Sequence, residues 1–248
     1  MGVYAGVEPT WAAQTNVGRT HIATKGVVQS GLVLNLDAGV SSSYPGSGTT
    51  WTDLSGNGNT GTLTNGPTYN NSDNGSIVFD GINDGIQLAG TNLSLNQMTI
   101  SSWNYSSNYV QNGFMFEKTT NGSVNTQYSL FYNNGNQIYY RTYGLSTTDL
   151  ILSSATTYVI NNKWNYIVAT FDGTNKRIYV NGILGATSAN LTGTVTQNST
   201  GAAYIGIYGN FAGYPFNGRI AQTQIYNRAL TPQEIQQNFN ATRGRFGI

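Results

Sequence analysis

Cysteine is absent from the chain, which excludes a disulfide framework and any thiolate-ligated metal centre. Charge is scarce as well. Asp, Glu, Lys and Arg make up 8% of the 248 residues, and the formal net charge is +1. There is no basic field to draw in phosphate backbones, so nucleic acid is not an expected partner. No run of about 18 apolar residues occurs, so no membrane partner is expected either. The first stretch, MGVYAGVEPTWAAQTNVGRTHIATKGVVQSG, has no continuous apolar core preceded by Lys or Arg and does not read as a secretory signal. Proline is limited to five residues, so extended segments are seldom interrupted. Histidine occurs once, as His21, and glutamate three times, as Glu8, Glu117 and Glu234. Carboxylate pairs for acid–base work are therefore hard to assemble, and no catalytic residue is assigned.

What is abundant is uncharged and polar: Asn, Thr, Ser, Gln and 31 Gly. These must supply the solubility, a composition that suits an extracellular or particle-borne β-protein. Between the polar stretches lie short apolar segments. GLVLNLDAG sets Leu32, Leu34 and Leu36 on one face, the period-two pattern of a half-buried strand. GSIVFDG, QMTISSWNY, GFMFEK, QYSLFY and QIYYR are alike in length and in their aromatic or β-branched content. In KWNYIVATFDGTNKRIYVNGILG, Trp164, Tyr166, Val168 and Thr170 alternate with Asn165, Ile167, Ala169 and Phe171. Asp172-Gly173 and Asn181-Gly182 then supply the positive φ angles of tight hairpins.

One helix is predicted, Pro232 to about Thr242. Thr231 caps it, Pro232 fills its first position, Glu234 completes a capping box and Gly244 ends it. Ile235 and Phe239 share a face and would seat it on a sheet. Many strands and one terminal helix imply an all-β, two-sheet antiparallel jelly-roll sandwich. Residues 31–242 form that domain, residues 1–30 an irregular N-terminal attachment arm, and residues 243–248 a C-terminal tail.

Three sets of residues are candidates for binding. In TDLSGNGNTGTLTNG, Asp53, Asn57 and Asn59 offer oxygens separated by Gly56 and Gly58, a set that could hold Ca²⁺. The same residues could instead form an Asx turn with no metal. Asp80, Asn83 and Asp84 make a second polar turn, explicable as a hairpin, and Asp84 could join Asp53 if the loops meet. The 17 Tyr and 4 Trp are a second resource, because sugars stack on such rings. Tyr139, Tyr140, Arg141 and Tyr143 fall in one segment. Tyr208, Phe211, Tyr214 and Phe216 fall in a Gly-rich loop and are expected to be exposed for carbohydrate or partner contact. The third set is the ends: Val7, Trp11 and Ile22 in the arm, and Arg243 and Arg245 in the tail, expected to attach the domain to a neighbour.

GLVLNLDAG, SYPGSGTTWTDLSGNGNTGTLTNGPTY, SIVFDGINDGIQL, WNYIVATFDGTNKRIYVNG and FNGRIAQTQIYNRALTPQEI, in this order, resemble the laminin-G-like branch of the concanavalin A-like lectin/glucanase fold. The likeness runs from about residue 31 to 242. The wording YPGSGTTWTDLSGNGN and IQQNFNATRGRFGI is similar to that of tailed-bacteriophage virion structural proteins. The resemblance implies a virion-surface protein with other virion proteins, of capsid or tail, as partners. It also implies a homo-oligomer, possible as a trimer, and calcium at loops near one sheet edge. Where relatives carry acidic residues this chain has Ala221 and Gln222, and the E-x-D-x-x-E pattern of the fold's glucanases is missing. The expected function is a non-enzymatic capsid decoration protein displaying a lectin-like domain. The alternative is a receptor-binding or tail-fibre protein that binds host surface carbohydrate.

Overall fold

The computed structural model describes residues 26–88, 92–109, 112–119, 126–133, 137–152, 159–197, 201–209, 211 and 213–248. Val7, Trp11 and Ile22 of the expected arm lie outside the described residues, as do Glu8 and His21. In chain order the strands are β1 (Leu32–Asp37), β2 (Thr50–Trp51), β3 (Gly61–Thr64), β4 (Thr68–Asn70), β5 (Ser76–Asp80), β6 (Gly85–Leu88), β7 (Met98–Tyr105) and β8 (Gly113–Thr119). They continue with β9 (Thr126–Asn133), β10 (Gln137–Thr142), β11 (Asp149–Leu152), β12 (Trp164–Phe171), β13 (Lys176–Val180), β14 (Ile183–Thr187), β15 (Ala203–Ile205) and β16 (Asn217–Tyr226). Helix α1 (Pro232–Thr242) follows, and tight 3₁₀ turns occupy Ser72–Asn74 and Arg243–Phe246.

Two antiparallel sheets hold these strands. The first runs β14-β13-β12-β7-β16-β5-β4, with β1 lying beside the second half of β16. The second runs β11-β10-β9-β8-β15-β6-β3-β2. The space between them is filled by the inward side of each alternation: Leu34 and Leu36 of β1, Ile167, Ala169 and Phe171 of β12, and Tyr128, Leu130 and Tyr132 of β9. A Leu, Ile or Phe side chain among them, taken fully out of water, contributes about 1.5–3 kcal/mol. The hairpins carry the expected chemistry. Asn181 (φ 51°) and Gly182 (φ 81°) both turn left-handed, and Asp172 Oδ1 accepts from the backbone N–H of Thr174 and Asn175 at 2.9 and 2.7 Å. Gly206 is required where it stands: its φ is +81°, and a Cβ there would lie 2.2 Å from the Phe79 ring.

The first sheet is buried on both faces. Trp164, Tyr166 and Val168, the outward half of the β12 alternation, join Trp103, Ile235, Phe239 and Phe246 in a second apolar cluster. Helix α1 covers this face with Ile235 and Phe239, as their spacing predicts. Its capping box is complete: Thr231 Oγ1 accepts from Glu234 N, and Glu234 Oε2 accepts from Thr231 N at 2.9 Å. Arg228 adds two more bonds to the Glu234 carboxylate, at 2.6 and 2.8 Å.

Three expectations about the ends change. Gly244 does not end the helix; the chain tightens into the Arg243–Phe246 turn, and Gly247 (φ 68°) stops it. Residues 243–248 are not a free tail, because Phe246 is buried with its ring 4.3 Å from that of Trp103. Packing also begins ahead of Gly31: Val28 is buried, and its N–H donates to Asn238 Oδ1 at 2.8 Å.

Candidate functional site

Among the described residues no helix lies over the outer face of the second sheet, and strand register aligns its side chains into two rows. One row is apolar: Phe114 of β8 opposes Phe131 of β9, which opposes Tyr139 of β10, which opposes Ile151 of β11. The neighbouring row is polar: Tyr204 of β15, Glu117, Ser129, Arg141 and Asp149. Plain alternation would place Phe114 and Phe116 on one face and Glu117 on the other. A bulge between Phe114 and Phe116 takes up one extra residue. Met115 and Phe116 therefore both reach the core, and Phe114 and Glu117 belong to the outer rows. Bulges commonly re-aim side chains in this way.

The aromatic row is a continuous wall. Phe114 stacks on Phe131 with centroids 4.5 Å apart and planes 6° from parallel, and Phe131 stacks on Tyr139 at 5.1 Å. The loop before β16 leans against its end: Phe114 meets Tyr208 at 5.1 Å and Tyr214 at 6.2 Å, while Tyr208 and Tyr214 meet edge to face at 5.7 Å. Together with Asn112, Asn133 and Arg141 these rings enclose an open groove of about 380 Å³. Phe114 and Phe131 are its buried floor, Tyr208 is half-buried, and Tyr214 is 52% exposed. Phe211 and Tyr214 have φ of 60° and 49°, a left-handed backbone that bulky residues rarely adopt and that tends to cluster at functional loops.

Glu117 anchors that loop from below. Its carboxylate accepts from the Gly209 backbone N–H and from Thr126 Oγ1. Burial pushes its pKa up to about 7, against the pull of those two hydrogen bonds and of Arg141. Arg141 is held by Asp149 through two parallel bonds, Nε to Oδ1 at 2.8 Å and Nη2 to Oδ2 at 2.9 Å. Its guanidinium carbon lies 5.1 Å from the Phe131 ring centre.

Of the aromatic residues singled out by sequence, Tyr208 and Tyr214 meet at this groove. Phe211 packs edge-on against Tyr204 at 5.7 Å, beside the groove lining. Phe216 is a correction: expected exposed, it is buried at 2%, pinned by its N–H donating to Gly206 O at 2.7 Å and wedged against Phe79. Tyr139 and Arg141 take the outer face, whereas Tyr140 points into the core. Phe114, Phe131, Asn112, Asn133 and Asp149 were not singled out. The signal for Phe131 was present: in Gln127, Ser129, Phe131 and Asn133 it is the one apolar residue on an otherwise polar face.

The metal candidates do not fit a metal. Asp53 Oδ1 accepts from the N–H groups of Asn35 and Ser55, both at 2.9 Å. Its Oδ2 accepts from Ser55 Oγ at 2.8 Å and Asn59 N at 2.9 Å. Asn59 and Asn57 aim amide nitrogens at the carbonyls of Val33 and Leu32, at 2.7 and 3.2 Å. The carboxylate is saturated by donors and the two amides present hydrogens, so the loop holds itself. Asp84 accepts from Asp80 N at 2.9 Å through Oδ2, within its own turn. Among the described residues no three His, Cys, Asp or Glu side chains converge on a metal-sized site.

The tail residues are spoken for within the chain. Arg245 donates to Asp37 Oδ1 and to the carbonyls of Asp73 and Gly75. Gln222, opposite Asp37 in register, donates to Asp37 Oδ2 at 2.9 Å. Arg243 lies over the Phe239 ring at 5.7 Å and remains exposed. As an attachment residue Arg245 is therefore corrected, since its donors are used internally. No helix among the described residues is long and apolar enough to cross a membrane.

A sequence profile described as the concanavalin A-like lectin/glucanases superfamily matches residues 80–236. No curated protein matches the chain. Among solved structures, domain 4 of an extracellular arabinanase from Geobacillus stearothermophilus, in complex with arabinotriose, superposes with a TM-score of 0.63 at 18% identity, covering 84% of this chain and 97% of that one. The binding domain of botulinum neurotoxin DC in complex with SialylT gives 0.63 at 15% identity over 87% of this chain and 52% of its own. Trypanosoma rangeli sialidase gives 0.61 at 17% identity over 87% of this chain and 33% of its own. The chain thus spans nearly all of the arabinanase domain, about half of the toxin domain and a third of the sialidase. At these identities the likeness is one of fold.

Proposed function

From the premise that the chain belongs to the concanavalin A-like lectin/glucanases superfamily, we propose that it is a non-enzymatic binding domain that holds a saccharide in the groove lined by Phe114, Phe131, Tyr208 and Tyr214. One observation carries the reading: an aromatic wall, buried at Phe114 and Phe131, that ends in the 52%-exposed ring of Tyr214. A sugar's C–H face stacks on such rings, and its hydroxyls bond to polar groups at the rim. Asn112, Asn133 and Arg141 stand at the rim for that purpose. Two neighbours of the same fold are described with a bound ligand, arabinotriose in one case and SialylT in the other. That supports the reading without transferring their ligands.

The same lining supports the non-catalytic part of this reading. Glycoside hydrolysis needs two carboxyl groups about 5–9.5 Å apart across one cavity, and no carboxylate is among the groove's lining residues described here. Glu117 lies buried beneath the loop. Its position suits an anchor better than an acid catalyst.

On the resemblance of its loop and terminal wording, we place the domain on the surface of a tailed-phage virion, as a capsid decoration protein that assembles with other virion proteins as a homo-oligomer, in trimeric form. The groove favours a second placement, a receptor-binding or tail-fibre protein contacting host surface carbohydrate. Labelling the protein on intact particles separates the two: a copy number in the capsid-protein range supports decoration, and a handful at the tail supports the fibre.

The binding reading is tested on a glycan array with the purified protein and its Tyr214→Ala and Tyr208→Ala variants. The wild type should retain at least one saccharide, and each variant should bind it about tenfold more weakly, the loss of about 1.4 kcal/mol of stacking. Retention of full affinity by both variants would remove the groove from the function.

A further inference from the structure

The groove's single charged lining residue among those described is Arg141, and its charge is already answered. Asp149 takes both Nε and Nη2 in a parallel fork, the geometry in which a carboxylate satisfies a guanidinium most fully. That pairing, more than any other contact, raises the Arg141 pKa, so the cation is permanent and its counter-ion is built in. The Phe131 ring lies 5.1 Å from the guanidinium carbon and fixes the plane further. Along the same row, Glu117 and Ser129 follow Arg141 toward the interior of the sheet. A second carboxyl group therefore lies on the far side of the arginine from Asp149.

We propose that the Arg141–Asp149 pair makes this groove selective for neutral saccharides and against acidic ones. The inference rests on the saccharide-binding reading above and adds the class of sugar. An acidic sugar brings a carboxylate, and one of the two bidentate edges of Arg141, Nε with Nη2, is taken by Asp149; the edge that remains, Nη1 with Nη2, would seat it beside Asp149. To bind there it must displace Asp149 or lie beside it, and like charges side by side are unfavourable. A hydroxyl or ring oxygen asks for less. It needs one N–H donor, which Nη1 supplies while Asp149 holds one N–H each of Nε and Nη2. The flanking amides of Asn112 and Asn133 suit uncharged hydroxyls equally well. Asp149 is thus a specificity-determining residue that acts through Arg141 without lining the groove.

The test compares neutral probes (arabinotriose, lactose) with acidic ones (sialyllactose, trigalacturonate), on the array and by titration calorimetry. Wild-type protein should hold neutral saccharides at least tenfold more tightly than acidic ones, with affinity independent of sodium chloride concentration, since no net charge is exchanged. Asp149→Asn frees the guanidinium, and affinity for the acidic probes should rise about tenfold and become salt-sensitive. Asp149 is partly exposed on the edge strand β11, with 25% of its side chain accessible, so this variant should fold. If it does not, the wild-type salt series still decides. A wild type that prefers acidic probes, or whose affinity falls with salt, overturns the inference and leaves the groove reading intact. Failure of every saccharide on the array overturns both.

Discussion

Glu117 is a carboxyl group with no exposure to water and no cation bonded to it directly. Burial raises its pKa to about 7, and the hydrogen bonds from Thr126 and Gly209 recover part of the cost of charging it. The sign follows. A carboxyl whose folded pKa exceeds its unfolded value favours the folded state fully below the unfolded value, and that advantage is lost as pH rises through the folded one. Stability should therefore decline between about pH 4.5 and pH 7 by on the order of 2–3 kcal/mol. Glu117→Gln, which keeps an acceptor for Gly209 and a donor for Thr126 at the same size, should flatten that decline. Urea unfolding at a series of pH values reads the effect; a wild-type profile with no slope in this window would refute the assignment. Asp53 is the contrasting residue, a buried carboxylate answered by four donors. The sequence shows both residues but not their difference. GFMFEK carries no mark of the bulge that re-aims Glu117, and the donors to Asp53 come partly from Asn35, a residue 18 positions earlier in the chain.

At the scale of elements, α1 and the last turn differ in how far local sequence determines them. The helix is legible because Thr231, Pro232 and Glu234 are each chosen for backbone reasons within one turn, and Ile235 and Phe239 repeat at the helical period. The turn RGRF has no period and no side-chain N-cap. It is ordered by distant groups: Trp103 and Trp164 receive Phe246, with centroids at 4.3 and 4.7 Å, and Asp37 receives Arg245. The Arg245 and Asp37 side chains are only 15% and 12% exposed, so solvent screens the pair weakly. Phe246→Ala should therefore destabilise the domain by about 3–5 kcal/mol, the usual range for a buried aromatic truncated to a methyl group. Arg245→Ala should destabilise it by about 1–3 kcal/mol through the acceptors left unanswered. Both should move tryptophan emission to longer wavelength as Trp103 and Trp164 gain water. A variant with unchanged emission and unchanged urea midpoint would show the turn to be dispensable.

For the whole molecule, what matters is the unequal treatment of two sheets. Alternation along the strands predicts two layers and a filled interior, because period two depends only on neighbouring residues. It does not say which outer face receives the helix. That depends on the helix returning over Trp103, Tyr166 and Val168 of the first sheet; among the described residues no helix lies over the outer rows of the second, although Phe114, Glu117, Ser129 and Phe131 there are buried. The candidate groove is thus a product of topology: Tyr208, Tyr214 and Arg141 of its lining are legible as an aromatic loop and an aromatic-rich strand, whereas Phe114, Asn112 and Asn133 carry no such mark. The same topology bears on calcium. The Asp53 loop joins the two sheets: it precedes β3 of the second sheet, and its amides and carboxylate bond the backbone of β1 in the first, at Asn35, Val33 and Leu32. A metal at that junction would be coupled to global unfolding and would raise the thermal midpoint with concentration. Hydrogen bonds already complete the junction, so the domain should unfold in one cooperative transition whose midpoint moves by less than about 1 °C between millimolar Ca²⁺ and excess EDTA. A rise of several degrees with calcium would mean that Asp53 exchanges its four donors for a cation, and the loop would then have to be rebuilt around it.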